Sequence, residues 1–567
     1  MSVGSVVGTV KLVGCAAVAL CVAAIAAPVA VAAQDDTTLV SRGGVGDAIG
    51  DAGSTDASVS ADGRYVAFAS DADNLSDDDN DGFSNVFLRD LQDGDTTLVS
   101  RQSAAEGGLG GDAVSFNPAI SANGRYVAFA SDADNLGPTN PAPEAVVNIF
   151  VRDTLLNTTT LVSRADGAGD GGDNISNWPS ISADGRYVAF ASDANNLVEG
   201  IDALSVFVRD TQTGDTSAIS LATNEEAAND VSAFPSISAT GRYVAFQSFA
   251  DNLADGENEG VRNVFVRDRL GGGTTTLVSR AEDGLGADAT SSDASISADG
   301  RYVAFESEAT NLAPGNNNGA LGDAFVRDLL NGTTSQVSAN DAGVGGDGAS
   351  GDATLPGDGP AISDDGRYVA YQSLSDNLSG ADNDAVSDVF FRDTQADTTT
   401  LVSRATGATG AAGNGDSFLA AISASGRYVV FDSSAENLVP GDVNGFTDIF
   451  HRDVLGPPDT DPPETNYTGG PAEGATVPEG SVSFEFDSDE PGSTFEARVT
   501  PGSDWQAATS PFIVSLTAGS YTFEVRATDS AGNVDLTPVT RHFMVEGEDG
   551  PPPPPPPPGG DDDPPDI

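Results

Sequence analysis

Two loops of this chain alternate carboxylates and amides around a glycine, the donor pattern a calcium ion requires. They read Asp79-x-Asp81-Gly82-x-x-Asn85 and Asp442-x-Asn444-Gly445-x-x-Asp448, and Asp382, Asp384 and Asp388 repeat the spacing without the glycine. Looser versions are Glu257, Glu259 and Asn263, and Asn316, Asn318 and Asp323. Several hard oxygens within one short turn suit calcium; the same residues also suit a solvated, turn-forming loop. Asp77-x-Asp79-x-Asp81-Gly82 begins like an EF-hand, but Leu88 stands at the twelfth position, where a bidentate glutamate is needed. Calcium is the one cofactor the sequence suggests.

A second set of residues is defined by its variability. Asp56, Asn117, Trp178, Phe234, Asp293, Gly359 and Leu419 occupy one equivalent position in seven repeated segments, and Phe116 and Phe418 precede two of them. An aromatic arc opposite acidic positions suits a sugar ring or a peptide side chain. Alternatively Trp178 and Phe234 pack on each other and plug the opening. Catalytic material is scarce. The only histidines are His451 and His542, so a Ser-His-Asp triad or a His-rich zinc site has almost no residues to use. His451 stands where other repeats have Leu88, Val151, Val208, Val266, Val326 and Phe391, which reads as a packed strand residue. Paired-carboxylate glycoside hydrolysis has ample acids, but no pair is singled out.

These residues hang on a repeat of about 60 residues. A Gly-Arg-Tyr-Val block recurs at Gly63, Gly124, Gly185, Gly241, Gly300, Gly366 and Gly426, and a Phe-x-Arg-Asp block at Phe87, Phe150, Phe207, Phe265, Phe325, Phe390 and Phe450. Each unit reads as four short antiparallel strands; in the first, Asp62-Gly63 and Asp93-Gly94 form the tight turns. A Thr-Thr-Leu-Val-Ser-Arg block also occurs seven times, but out of phase: it appears at 37–42, before the first unit, and is missing after the last. The fold class is therefore all-β, a seven-bladed β-propeller closed by its N-terminal strand. Closure hides the sheet edges that a linear array would expose. Internal repetition also separates roles. Residues present in every blade, such as the Arg89-Asp90 to Arg452-Asp453 pairs, belong to the architecture, whereas a binding site differs from blade to blade. Long loops between the second and third strands, and between blades, emerge on one face, where function is expected.

Ser-Ala-Asp-Gly-Arg-Tyr-Val-Ala-Phe followed by Asn-Val-Phe-Val-Arg-Asp resembles the TolB-type, WD40-like propeller repeat of bacterial envelope and secreted proteins, over residues 34–455. The turn is mostly Ala-Asp-Gly where that family often has Pro-Asp-Gly, and the N-terminal domain of TolB is absent. The partner-binding role of TolB is accordingly not carried over.

Residues 1–33, with Lys11 before an apolar run and Ala30-Val31-Ala32-Ala33 for cleavage, read as a secretory signal peptide. Both cysteines, Cys15 and Cys21, lie within it, so disulfides are not expected in the mature chain. Lys11 is the only lysine among 25 basic residues, against 86 Asp and Glu and a net charge of −61. Such acidity excludes nucleic acid as a partner and fits a solvated extracellular surface. After a Pro-rich linker at 456–463, residues 464–546 alternate as short strands and resemble the bacterial immunoglobulin-like β-sandwich. That resemblance implies a cysteine pair where Ala497 and Ala508 stand. Residues 547–567 read as an extended polyproline and acidic tail.

The sequence thus predicts a secreted or envelope-associated monomer without a membrane span. It would be a non-catalytic binding or scaffold protein for an extracellular protein or polysaccharide, calcium-stabilised where its acidic loops hold the ion. A carbohydrate-active hydrolase or lyase with a carboxylate pair in the central mouth is the enzymatic alternative, and a matrix protein with no small ligand is the structural one.

Overall fold

The computed structural model describes residues 34–44, 48–78, 82–137, 146–167, 169–256, 260–270, 272–313, 321–351, 359–382, 386–456, 462–490, 493–529 and 533–547, without the side chain of Leu419. The chain divides into two compact units, Met1–Gly456 and Pro457–Ile567. Among the described residues no helix is long and apolar enough to cross a membrane.

The first unit is a ring of seven four-stranded antiparallel sheets. Blade one shows the plan: Ser54–Val59 is the innermost strand, followed outward by Tyr65–Ser70, Asn85–Asp90 and Asp95–Leu98. Blade seven has three such strands, Ser417–Ile422, Tyr428–Ser433 and Asp448–Asp453, and takes its fourth from Thr37–Leu39. That strand pairs Thr37 with Arg452, Thr38 with His451 and Leu39 with Phe450. The ring is closed as the displaced repeat block predicts, although the strand ends at Leu39 and the backbone pairing at Val40, whose N–H donates to the Ile449 carbonyl at 2.7 Å, rather than reaching Arg42.

The second strands are apolar on both faces because each sheet is packed between two others. Ala67, Val86 and Leu88 of blade one meet Val127, Phe129 and Phe150 of blade two, and Val430 and Ile449 of blade seven meet Val66, Phe68 and Phe87 of blade one. Within each blade two rings stack at about 6 Å, as Phe68 and Phe87 do at 5.9 Å. Burying one such side chain contributes roughly 1.5–3 kcal/mol.

The recurring charged residues are structural, by a route their sequence adjacency does not suggest. Successive strand residues face opposite sides, so Arg89 and Asp90 do not pair. Asp90 takes the guanidinium of Arg64 at 2.6 Å, and the same bridge recurs in every blade through Arg427–Asp453. Arg89 is buried and donates to the Arg42 carbonyl and to Thr96 Oγ1, tying its blade to the end of the preceding one. Each of those arginines also lies over the adjacent tyrosine, Arg64 being 4.9 Å from the Tyr65 ring centre.

Two features close the short-turn end of the channel. The residues at the start of the first turn form an unbroken cycle of backbone hydrogen bonds, from Ala61 through Ala122, Ala183, Ala239, Ala298, Asp364 and Ala424 and back to Ala61. Beside it, the turn glycine of each blade lies against the tyrosine of the previous one. Gly63, at φ +76°, rests on the ring of Tyr428 so closely that a Cβ would enter the ring.

The second unit is a two-sheet sandwich. One sheet holds Thr465–Gly469, Gly480–Ser488 and Phe512–Leu516; the other holds Ala475–Pro478, Val539–Glu546, Gly519–Thr528, Thr494–Thr500 and Gln506–Ala508. One pair, Ala475–Pro478 with Val539–Glu546, is parallel. Phe484 and Phe523 stack across the core at 3.9 Å. Ala497 is buried opposite Gln506, while Ala508 faces Phe495.

Candidate functional site

The open end of the channel is built from a bulge repeated around the ring. The innermost strand slips register against the second between Thr55 and Ser58, and equivalently in blades two, three, four, five and seven. The residue in the bulge is the variable one. Asp56, Asn117, Trp178, Phe234 and Asp293 have φ of +58°, +49°, +53°, +53° and +49°. Asn and Asp tolerate this left-handed region; for bulky side chains it is a true outlier.

These five residues line one cavity of about 400 Å³, with Ser58, Ser180, Ser236 and Ser295 deeper on its walls. Gly359 lines the same cavity in blade six, and in blade seven, where the Leu419 side chain lies outside the described residues, Ala420 does. Trp178 and Phe234 are half-buried, their ring centres 4.1 Å apart and their planes inclined by 33°. The two aromatics thus pack together, as one of the two sequence readings has it, and still face the cavity. Asn117 Nδ2 donates to Asn177 Oδ1 at 2.9 Å, and Trp178 N–H donates to the same oxygen at 2.7 Å. Burial pushes the Asp56 carboxyl above the usual carboxylate range, offset in part by bonds from Asn117 and Thr55.

A left-handed bulge turns its N–H out of the ladder, and the structure shows what receives it. Asp56 N–H donates to Asp432 Oδ2 at 3.2 Å, and Asp293 N–H to Gln247 Oε1 at 2.8 Å. Asp432 and Gln247 belong to one strand position that reads Ala69, Ala130, Ala191, Gln247, Glu306, Gln372 and Asp432 around the ring. All four polar members are buried. Sequence reasoning missed them, although they carry the same signal as the bulge residues: a position that is alanine in three blades and polar in four. The cavity thus carries the aromatic pair in blades three and four, with Asn117 of blade two, Asp293 of blade five and Asp56 of blade one as its acidic and amide groups.

The acidic loops lie between the second and third strands. Asp79, Asp81 and Asp384 fall outside the described residues. Asn85, Asp382, Asp388, Asp442 and Asp448 are all buried, and Asn444 is half-buried. Burial, with Asp448 beside it, pushes the Asp442 carboxyl up to about 6. Asp448 is raised as well, chiefly by burial. His451 is fully buried as a strand residue, its ring stacked 4.7 Å from Tyr428, and loss of solvent holds its pKa at about 4. It takes no part in either site.

No family profile and no curated protein matches the chain. Among solved structures it is similar to a protein described as TolB from Agrobacterium tumefaciens, at 13% identity and a TM-score of 0.34, over 63% of this chain and 93% of that one. The RRP9 WD40 repeats align at 11% identity and a TM-score of 0.38, over 75% of this chain and 99% of theirs. A prolyl endopeptidase aligns at 11% identity and a TM-score of 0.42, over 87% of this chain and 55% of its own. All three likenesses are distant and say nothing of activity.

Proposed function

We propose that this chain is a secreted, non-catalytic binding or scaffold protein, a relative of the TolB-type propellers, that recognises an extracellular protein or polysaccharide in the open mouth of its ring. One observation carries the reading. Trp178 and Phe234 are held at positive φ, at a cost of about 1–3 kcal/mol each, in a position where neighbouring blades use the tolerant Asp56, Asn117 and Asp293. Strain of this kind is kept where a side chain must be presented, and a rigid aromatic pair beside hydrogen-bonding groups suits a sugar face or an apolar peptide side chain. The signal-like residues 1–33 and the acidic, lysine-poor composition support an extracellular setting.

The test is a glycan and peptide binding screen on the mature chain and on the Trp178→Asn/Phe234→Asn double variant. A ligand bound by the wild type and lost from the folded variant is the expected outcome; binding that survives both substitutions places the site elsewhere. The hydrolase alternative draws on the Asp56 carboxyl, which burial raises and which lines the cavity. Release of product from a bound polysaccharide, abolished by Asp56→Asn, would replace binding with catalysis.

A further inference from the structure

The loop leading into the third strand of blade seven holds charge where three other blades hold none. In blades one, two and four that strand begins with Asn85, Asn148 or Asn263, each buried. Its Oδ1 accepts a bond from a serine at the end of the fourth strand: Ser100 at 2.6 Å, Ser163 at 2.9 Å and Ser279 at 3.0 Å. Its Nδ2 donates to the carbonyl two residues upstream, at 3.3 Å to Phe83, 2.9 Å to Val146 and 2.9 Å to Val261. One neutral amide satisfies both neighbours. Blade seven has Asp448 there, with no exposed surface. It keeps the serine bond, Ser41 Oγ donating to Oδ1 at 2.5 Å, but an ionised carboxylate has no hydrogen to give. Its Oδ2 instead accepts from Asn444 Nδ2 at 2.7 Å, and that same nitrogen donates to the Gly50 carbonyl at 3.2 Å.

A second buried acid stands beside it. Asp442 is 3% exposed, and its Oδ1 has no hydrogen-bond partner among the described residues. The charges acting on it, Asp448 and Glu436, are both negative; only the Asn444 N–H supports it. A buried carboxyl that stays ionised is paired with a cationic side chain or bound to a metal. The loop supplies no such side chain, and its donors are oxygens throughout, which selects calcium over zinc or copper.

We propose that Asp442 and Asp448, with the Gly50 carbonyl, hold one divalent cation of the calcium type at the seam where the N-terminal segment closes the ring. Among the described residues no three Asp, Glu, His or Cys side chains converge, so water completes the shell, as is common for calcium. The Asn444 amide nitrogen now bridges two of these oxygens, a task the ion takes over. The site draws on blade seven, is braced by Ser41 of the closing segment, and reaches Gly50 on the way to blade one. Bound cation therefore pins the blade-seven loop to the local hairpin that carries Ser41 and Gly50, two stretches of chain that meet only in the closed ring. This proposal does not depend on what the mouth binds.

The experiment uses the mature full-length chain stripped with EDTA. Calorimetric titration with calcium should give saturable binding, and melting in millimolar calcium should exceed melting in EDTA by roughly 3–6 °C. Asp448→Asn restores the residue of blades one, two and four, and Asp442→Asn removes the unsatisfied charge; both should fold and both should lose the calcium-dependent shift. Wild-type melting that is equal in calcium and EDTA, with no saturable heat, overturns the proposal. So does a calcium shift that persists undiminished in both variants, since the ion would then sit in another loop.

Discussion

The two ends of the central channel are built from the same innermost strands and obey opposite rules. At the short-turn end all seven blades use the same devices: the turn glycine against the preceding tyrosine, the arginine–aspartate bridge, and the cycle of backbone bonds through Ala61 and Ala424. At the bulge end, five blades share a left-handed backbone position but vary the side chain they place on it, from Asp56 and Asp293 to Asn117, Trp178 and Phe234. Uniformity at one end fixes the spacing of the blades. Variation at the other is possible because that spacing is already fixed. In a ring with an invariant rim, chemistry can be changed one blade at a time.

The largest effect should come from breaking the uniform end. Gly63→Val forces a β-branched residue to positive φ and drives it into Tyr428, and should cost roughly 3–5 kcal/mol in denaturant unfolding. A cost under about 1 kcal/mol would mean that the rim can give. Gly82, also at positive φ but with nothing near its missing Cβ, provides the control on the elaborated face; Gly82→Ala should cost only about 1 kcal/mol.

Next in size is a pH effect at the seam. His451 is neutral in the fold, with a pKa near 4 set by burial, which a backbone bond with Gly63 only partly offsets, and it stacks on Tyr428. Unfolded, it binds a proton near pH 6.5. The folded pKa is the lower one, so its contribution is fully present above about pH 6.5 and declines as pH falls toward 4. The total loss is about 3 kcal/mol. His451→Phe, which copies Phe391 of blade six, should remove this part of the acid sensitivity. Parallel stability–pH curves for variant and wild type would rule the effect out.

The smallest effect on stability should come from the variable end. Trp178→Asn, which installs the residue of blade two, trades lost ring contact with Phe234 for relief at positive φ and should shift stability by no more than about 1 kcal/mol. Any ligand of the mouth should nonetheless be lost. A destabilisation as large as that of Gly63→Val would show that the aromatic pair holds the ring together, and the contrast between the two ends would fail.

Much of this was legible in the sequence, for a physical reason. Seven copies of Gly-Arg-Tyr-Val and the early Thr-Thr-Leu-Val block encode local strands and turns, so the blade count and the closing strand could be read directly. The variable position at Asp56, Trp178 and Phe234 could also be read, because repetition exposes departures from it. Its left-handed backbone could not, since a bulge is set by pairing with another strand. Gln247, Glu306, Gln372 and Asp432 were overlooked because a polar residue in a strand reads as a solvent-facing one. Two of them, Gln247 and Asp432, bond the following blade, a contact with no local trace. The partners of Arg89 and Asp90 were obscured in the opposite way, by adjacency in sequence that the alternating strand undoes.

The closing strand also imposes an order in time. Thr37 leaves the ribosome hundreds of residues before Arg452, whose guanidinium it will accept at 2.6 Å. The earliest part of the propeller to be synthesised is thus the last to find its place. Until the seventh blade exists, the first has no Tyr428 beneath its turn and no Val430 against its face. Contacts so distant along the chain form slowly, because the long intervening segment must be brought round first. Six blades are built from consecutive strands, but the ring itself waits for its own end and then locks.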